Sequence, residues 1–202
     1  MLRDRKQNTR DKKKYILIVC EGEKTEPNYF RSFPIPSKQV ELFIEGIGMN
    51  PSKIVQYALA LKKEKENDMG FEIDSVWCVF DKDSFEKDDF TNAINRARAK
   101  GLKVAYSNES FELWYVLHFQ YLSSQKSRND LVRMLNSKLD GKYRKNDCSM
   151  YKKLQDKQGV AISNAQKLLK YHESISGIVP QNNNPSTTVH ELVMFLNNEI
   201  KK

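Results

Sequence analysis

Two groups of acidic residues each follow an apolar, strand-like run of the chain directly. Carboxylates that meet at one point raise one another's pKa unless a cation lies between them. Hard oxygen ligands favour a divalent ion, and Mg²⁺ suits a site that keeps waters for a phosphate group to replace. The two groups therefore predict a magnesium site, made of Glu21, Glu23 and Glu26 in the first and Asp81 and Asp83 in the second.

Each group alone has a simpler explanation. Glu23 and Glu26 could complement the positive end of a following helix, a preference of about 0.3 to 1 kcal/mol each. Asp81 and Asp83 could cap a turn and the helix after it. The occurrence of both groups at strand ends of one sheet favours the metal interpretation.

Four strands and the helices between them must position these carboxylates. Apolar, β-branched runs predict strands at residues 15–20, 40–44, 75–80 and 102–106. Start signals and apolar spacing predict helices that begin at the caps Thr25 and Asn50 and near Phe85, with the polar stretch 62–70 as a frayed end and loop. The alternation predicts a parallel sheet with helices on both faces. Ligands collect at the carboxyl ends of such strands, where both acidic groups are expected.

From Glu109 onward the pattern is helical, with segments predicted at residues 109–119, 129–139, 159–171 and 188–201. Thr188 and Glu191 fit a capping box for the last of these helices. Formal charges divide the chain into a basic arm (residues 1–14, +5), an acidic α/β core (15–120, −4) and a helical C-terminal region (121–202), of which residues 121–157 carry +6. Clustered carboxylates flanked by Lys and Arg suit an enzyme that holds metal against a polyanion.

Glu112 lies in the apolar run 111–117, where an unpaired carboxylate is costly to bury. Glu109 lies one turn earlier on the same predicted helix face. Two interpretations remain open. The two glutamates could pair with Lys or Arg from the basic segment, residues 121–157, or they could face the metal pocket as further ligands or as a base with raised pKa. His118 is expected to be a hydrogen-bonded helix histidine rather than a catalyst.

The basic segment mixes cations with Tyr143 and Tyr151, which suits backbone phosphates and stacking on an unpaired base; a solvated helical annex is the alternative. Lys145 is the cation expected to balance a phosphate charge. No run approaches the about 20 apolar residues of a membrane span. Residues 1–14 lack the apolar middle of a secretory signal, so a cytoplasmic protein is expected.

Four motifs, taken in order, resemble the RloB family, which is associated with restriction loci and abortive-infection defence. They are Glu-Gly-Glu-Lys-Thr-Glu at 21–26, Phe-Asp-Lys-Asp at 80–83, the stretch 107–119, and Asn-Pro-Ser-Thr at 184–187. The first two are also similar to the Toprim fold of topoisomerases, primases and the overcoming-lysogenization-defect nucleases. The resemblance covers about residues 14–196. It implies an α/β fold: a Toprim-like parallel sheet flanked by helices, with a C-terminal helical annex.

The resemblance also implies roles for single residues. Glu21 matches the glutamate that serves as general acid/base or metal ligand, and Asp81 and Asp83 match the magnesium-binding pair. Glu26 matches the second glutamate of the nuclease-type variant. No topoisomerase tyrosine domain or primase zinc module is evident in the sequence, which favours simple cleavage.

The leading hypothesis is a nuclease that uses Mg²⁺, or Mn²⁺ in its place, to cleave DNA or RNA in antiviral defence. The expected metal ligands are Glu21, Asp81, Asp83 and Glu109, and the expected catalytic residues are Glu21, Glu26, Glu112 and Lys145. A homodimer or a protein of the same defence operon is a further expected partner. The alternative is a non-catalytic nucleic-acid or nucleotide sensor. A phosphotransferase is least favoured, because the sequence has no P-loop.

Overall fold

A five-stranded sheet forms the centre of the computed structural model, which describes residues 13–82 and 87–201. The strand order is β2-β1-β3-β4-β5. The first four strands run parallel, and the fifth is antiparallel to its neighbour. The strands are β1 (Lys14–Cys20), β2 (Val40–Gly46), β3 (Ser75–Asp81), β4 (Lys103–Asn108) and β5 (Ser186–Thr187). The predicted, mostly parallel α/β sheet is therefore confirmed.

Helices cover both faces of this sheet. They are α1 (Thr25–Arg31), α2 (Pro51–Met69), α3 (Lys87–Ala99), α4 (Glu112–Leu117), α5 (Arg128–Lys138), α6 (Met150–Leu154), α7 (Gln158–Ser176) and α8 (Val189–Ile200). A short 3₁₀ turn, Gln155–Lys157, joins α6 to α7. Within the described ranges, none of the helices combines the length and the apolar character needed to cross a membrane.

The period-two alternation of the strands divides the core into two apolar layers. Leu17 of β1 faces the layer closed by α2 and α3, which contribute Ile54 and Phe90. Ile18 faces the other layer, where Trp114 of α4 packs together with residues of α1, α5, α7 and α8. The continuous apolar runs of β1 and β3 follow from burial on both faces.

Helix α2 is longer than its sequence predicts. The polar stretch expected as a frayed end stays helical to Met69, and Gly70 ends the helix in the left-handed conformation at φ 71°. Lys62 and Glu66 form an ion pair of 3.0 Å on it, and Glu66 also accepts a 2.8 Å hydrogen bond from the Ile73 amide. The polar residues are therefore the solvated surface of a regular helix.

The region after Glu109 differs from the prediction at two points. Strand β4 continues to Asn108, and the next helix begins only at Glu112, so Glu109 precedes that helix. The predicted capping box at Thr188 is wrong, since this side chain makes no cap hydrogen bond. Its hydroxyl accepts a 2.9 Å hydrogen bond from the Tyr106 amide of β4 instead, just beyond the unpredicted strand β5.

Candidate functional site

The ends of β1 and β3 bring Glu21 and Asp81 together. The two strands are parallel neighbours, with Cys20 paired to Val79, so both acids leave the sheet at the same edge. The Asp81 amide donates a 2.9 Å hydrogen bond to Glu21 Oε2. Asp83, the other acid predicted here, lies outside the described residues.

Asp81 is a buried carboxylate in a strongly charged environment. Its Oδ2 accepts hydrogen bonds from the Phe111 amide at 3.0 Å and from Arg128 Nη2 at 3.3 Å. Burial raises the pKa of Asp81 well above its usual 3.8, and the charges of Glu26, Glu21 and Glu112 raise it further, while Arg128 opposes the shift. The carboxylate therefore carries more negative charge around it than Arg128 compensates.

Glu26 lies in the first turn of α1, and its side chain turns back toward Gly22 in the glutamate loop, residues 21–24 between β1 and α1. It is buried, and its Oε2 has no hydrogen-bond partner among the described residues. Burial raises the pKa of Glu26, and the charge of Glu112 adds to that shift, whereas Lys145 lowers the pKa. A Cβ atom at Gly22 would overlap the Glu26 carboxylate, so this close approach requires glycine.

For Glu112 the structure confirms pairing with the basic segment, which is one of the two interpretations that its sequence left open. It begins α4, where the Tyr143 hydroxyl donates a 3.1 Å hydrogen bond to Oε1 and Arg128 Nε lies 3.9 Å from Oε2. It thus pairs with an arginine of the basic segment, and its charge also raises the pKa of Asp81 and Glu26. Burial and the same charge raise the pKa of Tyr143.

Glu109 does not share the position of Glu112. It is half-buried and follows the cis peptide bond Asn108–Glu109 between β4 and α4. Within residues 13–82 and 87–201, no side chain forms a hydrogen bond or ion pair with it. The predicted helix face that joined it to Glu112 does not exist, because α4 begins at Glu112.

His118 is hydrogen-bonded, as predicted, and lies directly after the last residue of α4. Its buried Nδ1 lies 2.9 Å from the Trp114 carbonyl oxygen, one helical turn back. Burial lowers the pKa of His118 to about 4, so the ring is neutral at pH 7. A neutral, enclosed imidazole adds no charge to the acidic cluster, which consists of Glu21, Glu26, Asp81 and Glu112.

The basic segment is attached to the start of α1. The Thr25 hydroxyl donates to the Lys145 carbonyl oxygen, and Asn28 Nδ2 donates to the Asn146 carbonyl oxygen at 3.3 Å. Thr25 is therefore the first residue of the helix, after Lys24, and not the cap that its sequence predicts. Residues 22–25, 145 and 146 line a cavity of about 370 Å³, with the exposed side chain of Lys145 on its rim.

A larger cavity, of about 630 Å³, lies elsewhere and contains none of these acids. Its lining includes Trp77 and Lys103, which are register partners near the starts of β3 and β4. Asp81 lies four residues further along β3, about 13 Å away at the usual rise of a strand. The acidic cluster is the stronger candidate for chemistry, because three further carboxylates act on Asp81 there. In the lining of the larger cavity, Glu191 is accompanied by the basic Arg98 and Lys103.

The donor set of the cluster fits a hard divalent cation. Glu21, Glu26 and Asp81 offer carboxylate oxygens only, which is the chemistry that Mg²⁺ prefers. In the part of the chain that the structure describes, however, no three Asp, Glu, His or Cys side chains stand close enough together to hold a metal ion as they are placed. Asp83 is not included in that part, and Arg128 lies against Asp81.

Sequence reasoning did not single out Arg128, and assigned Tyr143 only to base stacking. The Ser-x-x-Asp pattern at 127–130 is a capping-box signal, and both reciprocal hydrogen bonds of that box form at the start of α5. This signal could have placed the helix start at Arg128. It could not have shown that the arginine meets an aspartate 47 residues earlier in the chain.

A protein-family model described as RloB-like protein matches residues 16–196. No curated protein and no solved structure matches the chain significantly. The matched region begins in β1 and ends in α8, so it includes both strand ends, α4, α5 and Lys145. The chain belongs to the RloB-like protein family.

Proposed function

We propose that this protein is a magnesium-dependent enzyme that cleaves phosphodiester bonds in nucleic acid. The observation that carries the proposal is the buried Asp81, hydrogen-bonded through its amide to Glu21, with a pKa raised by burial and by three neighbouring carboxylates. A cluster of like charges of this kind is stabilised by a divalent cation. Perturbed acids of this kind are also common at catalytic sites.

Different residues of the chain bind the cation, accept the proton and balance the phosphate charge. Glu21, Asp81 and Asp83 would hold the cation, which when bound supplies an activated water and neutralises charge that develops on the phosphate. Glu26 has a raised pKa, and its Oε2 has no hydrogen-bond partner among the residues that the structure describes. It accepts the proton of the attacking water, a role for which Glu21 is the alternative. Lys145, on the rim of the neighbouring cavity, balances the phosphate charge.

Nucleic acid is the substrate that the surrounding charge supports. The basic segment 121–157 supplies Lys145 and Arg128, whose positions border the acidic cluster. We also propose that the enzyme acts in antiviral defence; this role and the likeness to Toprim nucleases rest on the motif resemblance alone. Either DNA or RNA meets the chemistry of the site.

The test is incubation of the purified protein with a mixture of duplex DNA, single-stranded DNA, messenger RNA and transfer RNA, in Mg²⁺, Mn²⁺ or chelator. We expect cleavage of at least one substrate with metal and none in chelator. The variant carrying Asp81→Ala and Asp83→Ala should fold and bind nucleic acid without cleaving it. Cleavage by that double variant would contradict the assignment.

A non-catalytic nucleic-acid sensor is the second candidate. The observation that favours it is the position of Arg128, which already places a positive charge beside Asp81 and Glu112. Such a protein would bind phosphates through the basic segment without a cation. Binding that persists in chelator, with no product in any metal, would favour this function over cleavage.

A further inference from the structure

Arg128 reaches the acidic cluster from a fixed position. It is the first residue of α5, directly after Ser127. Ser127 caps the helix through the Asp130 amide, and the Asp130 side chain in turn accepts from the Ser127 amide at 3.1 Å. The backbone at Arg128 is therefore held firmly, and a change of direction is left to its side chain.

The contacts of Arg128 with Asp81 and Glu112 are long. Nη2 lies 3.3 Å from Asp81 Oδ2, and Nε lies 3.9 Å from Glu112 Oε2. Tight charge-assisted hydrogen bonds are about 2.7 to 2.9 Å long, the length of the Lys14–Glu199 pair at 2.9 Å. About a third of the Arg128 side chain is exposed to solvent, at 31%. Neither of these two contacts has the length of a tight charge-assisted hydrogen bond.

The guanidinium and a divalent cation would compete for the same carboxylate. A cation bound to Asp81 would lie a few ångströms from Arg128, and two positive charges at that distance repel each other. Arg128 would then have to turn away from Asp81. Its nearest new partner would be the phosphate that the cation holds, because the planar guanidinium fork matches phosphate oxygens.

We propose that Arg128 is a substrate-binding residue that occupies the carboxylate cluster until a divalent cation displaces it and then binds the phosphodiester. The inference rests on the proposed function, since it assumes a cation at Asp81. Arg128 would be a phosphate ligand on α5, outside the four motifs that resemble the RloB family. It also makes metal binding a precondition for full substrate affinity.

Arg133 provides a matched control on the same helix. It is 75% exposed and pairs with Asp130, three residues earlier, rather than with the cluster. Replacement of Arg133 removes the same charge from α5 without touching Asp81 or Glu112. Effects that Arg128→Gln shows and Arg133→Gln lacks therefore belong to the cluster.

The first measurement is the affinity of the metal-free protein for Mn²⁺, by calorimetric titration or electron paramagnetic resonance. Arg128→Gln removes the partly exposed ion pair with Asp81, for which Mn²⁺ competes. We therefore expect this variant to bind Mn²⁺ about two- to fivefold more tightly than wild type, and Arg133→Gln to bind it as wild type does. Equal or weaker Mn²⁺ binding by Arg128→Gln would overturn this inference but leave the proposed function standing. Absence of saturable Mn²⁺ binding by the wild type would overturn the proposed function with it.

The second measurement is the affinity for a short single-stranded oligonucleotide in Ca²⁺, which binds oxygen ligands but supports slow or no cleavage at magnesium sites. Here Arg128→Gln should bind about tenfold more weakly than Arg133→Gln, the scale of one hydrogen bond to a charged group. Arg128→Lys keeps the charge and the fold but lacks the fork, so it should fall between the two. Unchanged oligonucleotide affinity in both Arg128 variants would overturn the assignment of Arg128 to the phosphate.

Discussion

The Asp81 amide and the Glu21 carboxylate are joined by a hydrogen bond of 2.9 Å across the ends of two parallel strands. The bond uses the main chain of Asp81, so it survives replacement of the aspartate side chain. The position of Glu21 is therefore set by the register of β1 on β3 rather than by its acidic neighbour. Replacement of the Asp81 side chain therefore removes its charge without displacing Glu21.

Asp81→Asn should stabilise the metal-free protein at neutral pH. The pKa of Asp81 is raised in the folded state, so its ionisation opposes folding once the pH exceeds the usual value of 3.8. The penalty grows as the pH rises through the raised pKa and vanishes below 3.8, where both states are protonated. We expect thermal unfolding in chelator to show a Tm gain of a few degrees at pH 8 that shrinks at pH 5.

The control for this variant is Asp156→Asn, an exposed aspartate in the 3₁₀ turn before α7. It should leave the Tm unchanged at both pH values. A lower Tm for Asp81→Asn than for wild type at pH 8 would show that its contacts with Phe111 and Arg128 outweigh the charge repulsion.

Gly22→Ala should disable the site with little effect on the rest of the fold. The added Cβ would overlap the Glu26 carboxylate and force it to move. A displacement of about 1 Å in a catalytic group can cost about 100-fold in rate. Gly159→Ala is the control, because its Cβ meets nothing within 4 Å and alanine favours the α7 helix by about 0.5 to 1 kcal/mol. Full cleavage by Gly22→Ala would remove Glu26 from the mechanism.

Glu26→Gln tests the proton acceptor directly. Loss of a positioned general base should lower the cleavage rate by about 10² to 10⁴. The side chain keeps its size, so Mn²⁺ affinity should change much less than the rate. The pH–rate profile of the residual activity should lack the acidic limb that belongs to Glu26. Glu64→Gln, at an exposed position of α2, is the control and should cleave at the wild-type rate. An unchanged rate in Glu26→Gln would assign the role of proton acceptor to Glu21.

Lys145→Gln should weaken nucleic-acid binding through charge alone. Lys145 is exposed beside the glutamate loop, and its main chain is held by Thr25. Loss of one phosphate contact lowers the slope of log affinity against log salt by about 1, without altering sequence preference. Filter binding at several salt concentrations measures the slope. Lys63→Gln on α2 is the matched exposed lysine, and equal slopes for the two variants would exclude a phosphate role for Lys145.

The ends of β1 and β3 were predictable because the local sequence pattern and the packing of a parallel sheet both indicate them. A continuous apolar run rich in β-branched residues favours a strand buried on both faces, and parallel neighbours place the residues after each strand at one edge of the sheet. Asn50 was likewise predicted correctly as a helix cap, and its side chain accepts a 3.0 Å hydrogen bond from the Lys53 amide.

Other parts of the site depend on contacts that no local pattern encodes. Arg128 meets Asp81 only because α5 packs beside α4, far from β3 in sequence. Strand β5 is two residues long, too short to show an alternation. Glu109 was misplaced because β4 extends two residues beyond its apolar run, through the buried polar residues Ser107 and Asn108.

Divalent-metal binding by the isolated protein tests the central claim most directly. Mn²⁺ titrations of wild type and Asp81→Asn, followed by electron paramagnetic resonance without nucleic acid, compare two proteins that differ by one buried charge. We predict saturable binding of one or two ions to the wild type and its loss in Asp81→Asn. Equal Mn²⁺ binding by both proteins would contradict the assignment of the strand-end carboxylates as the metal site.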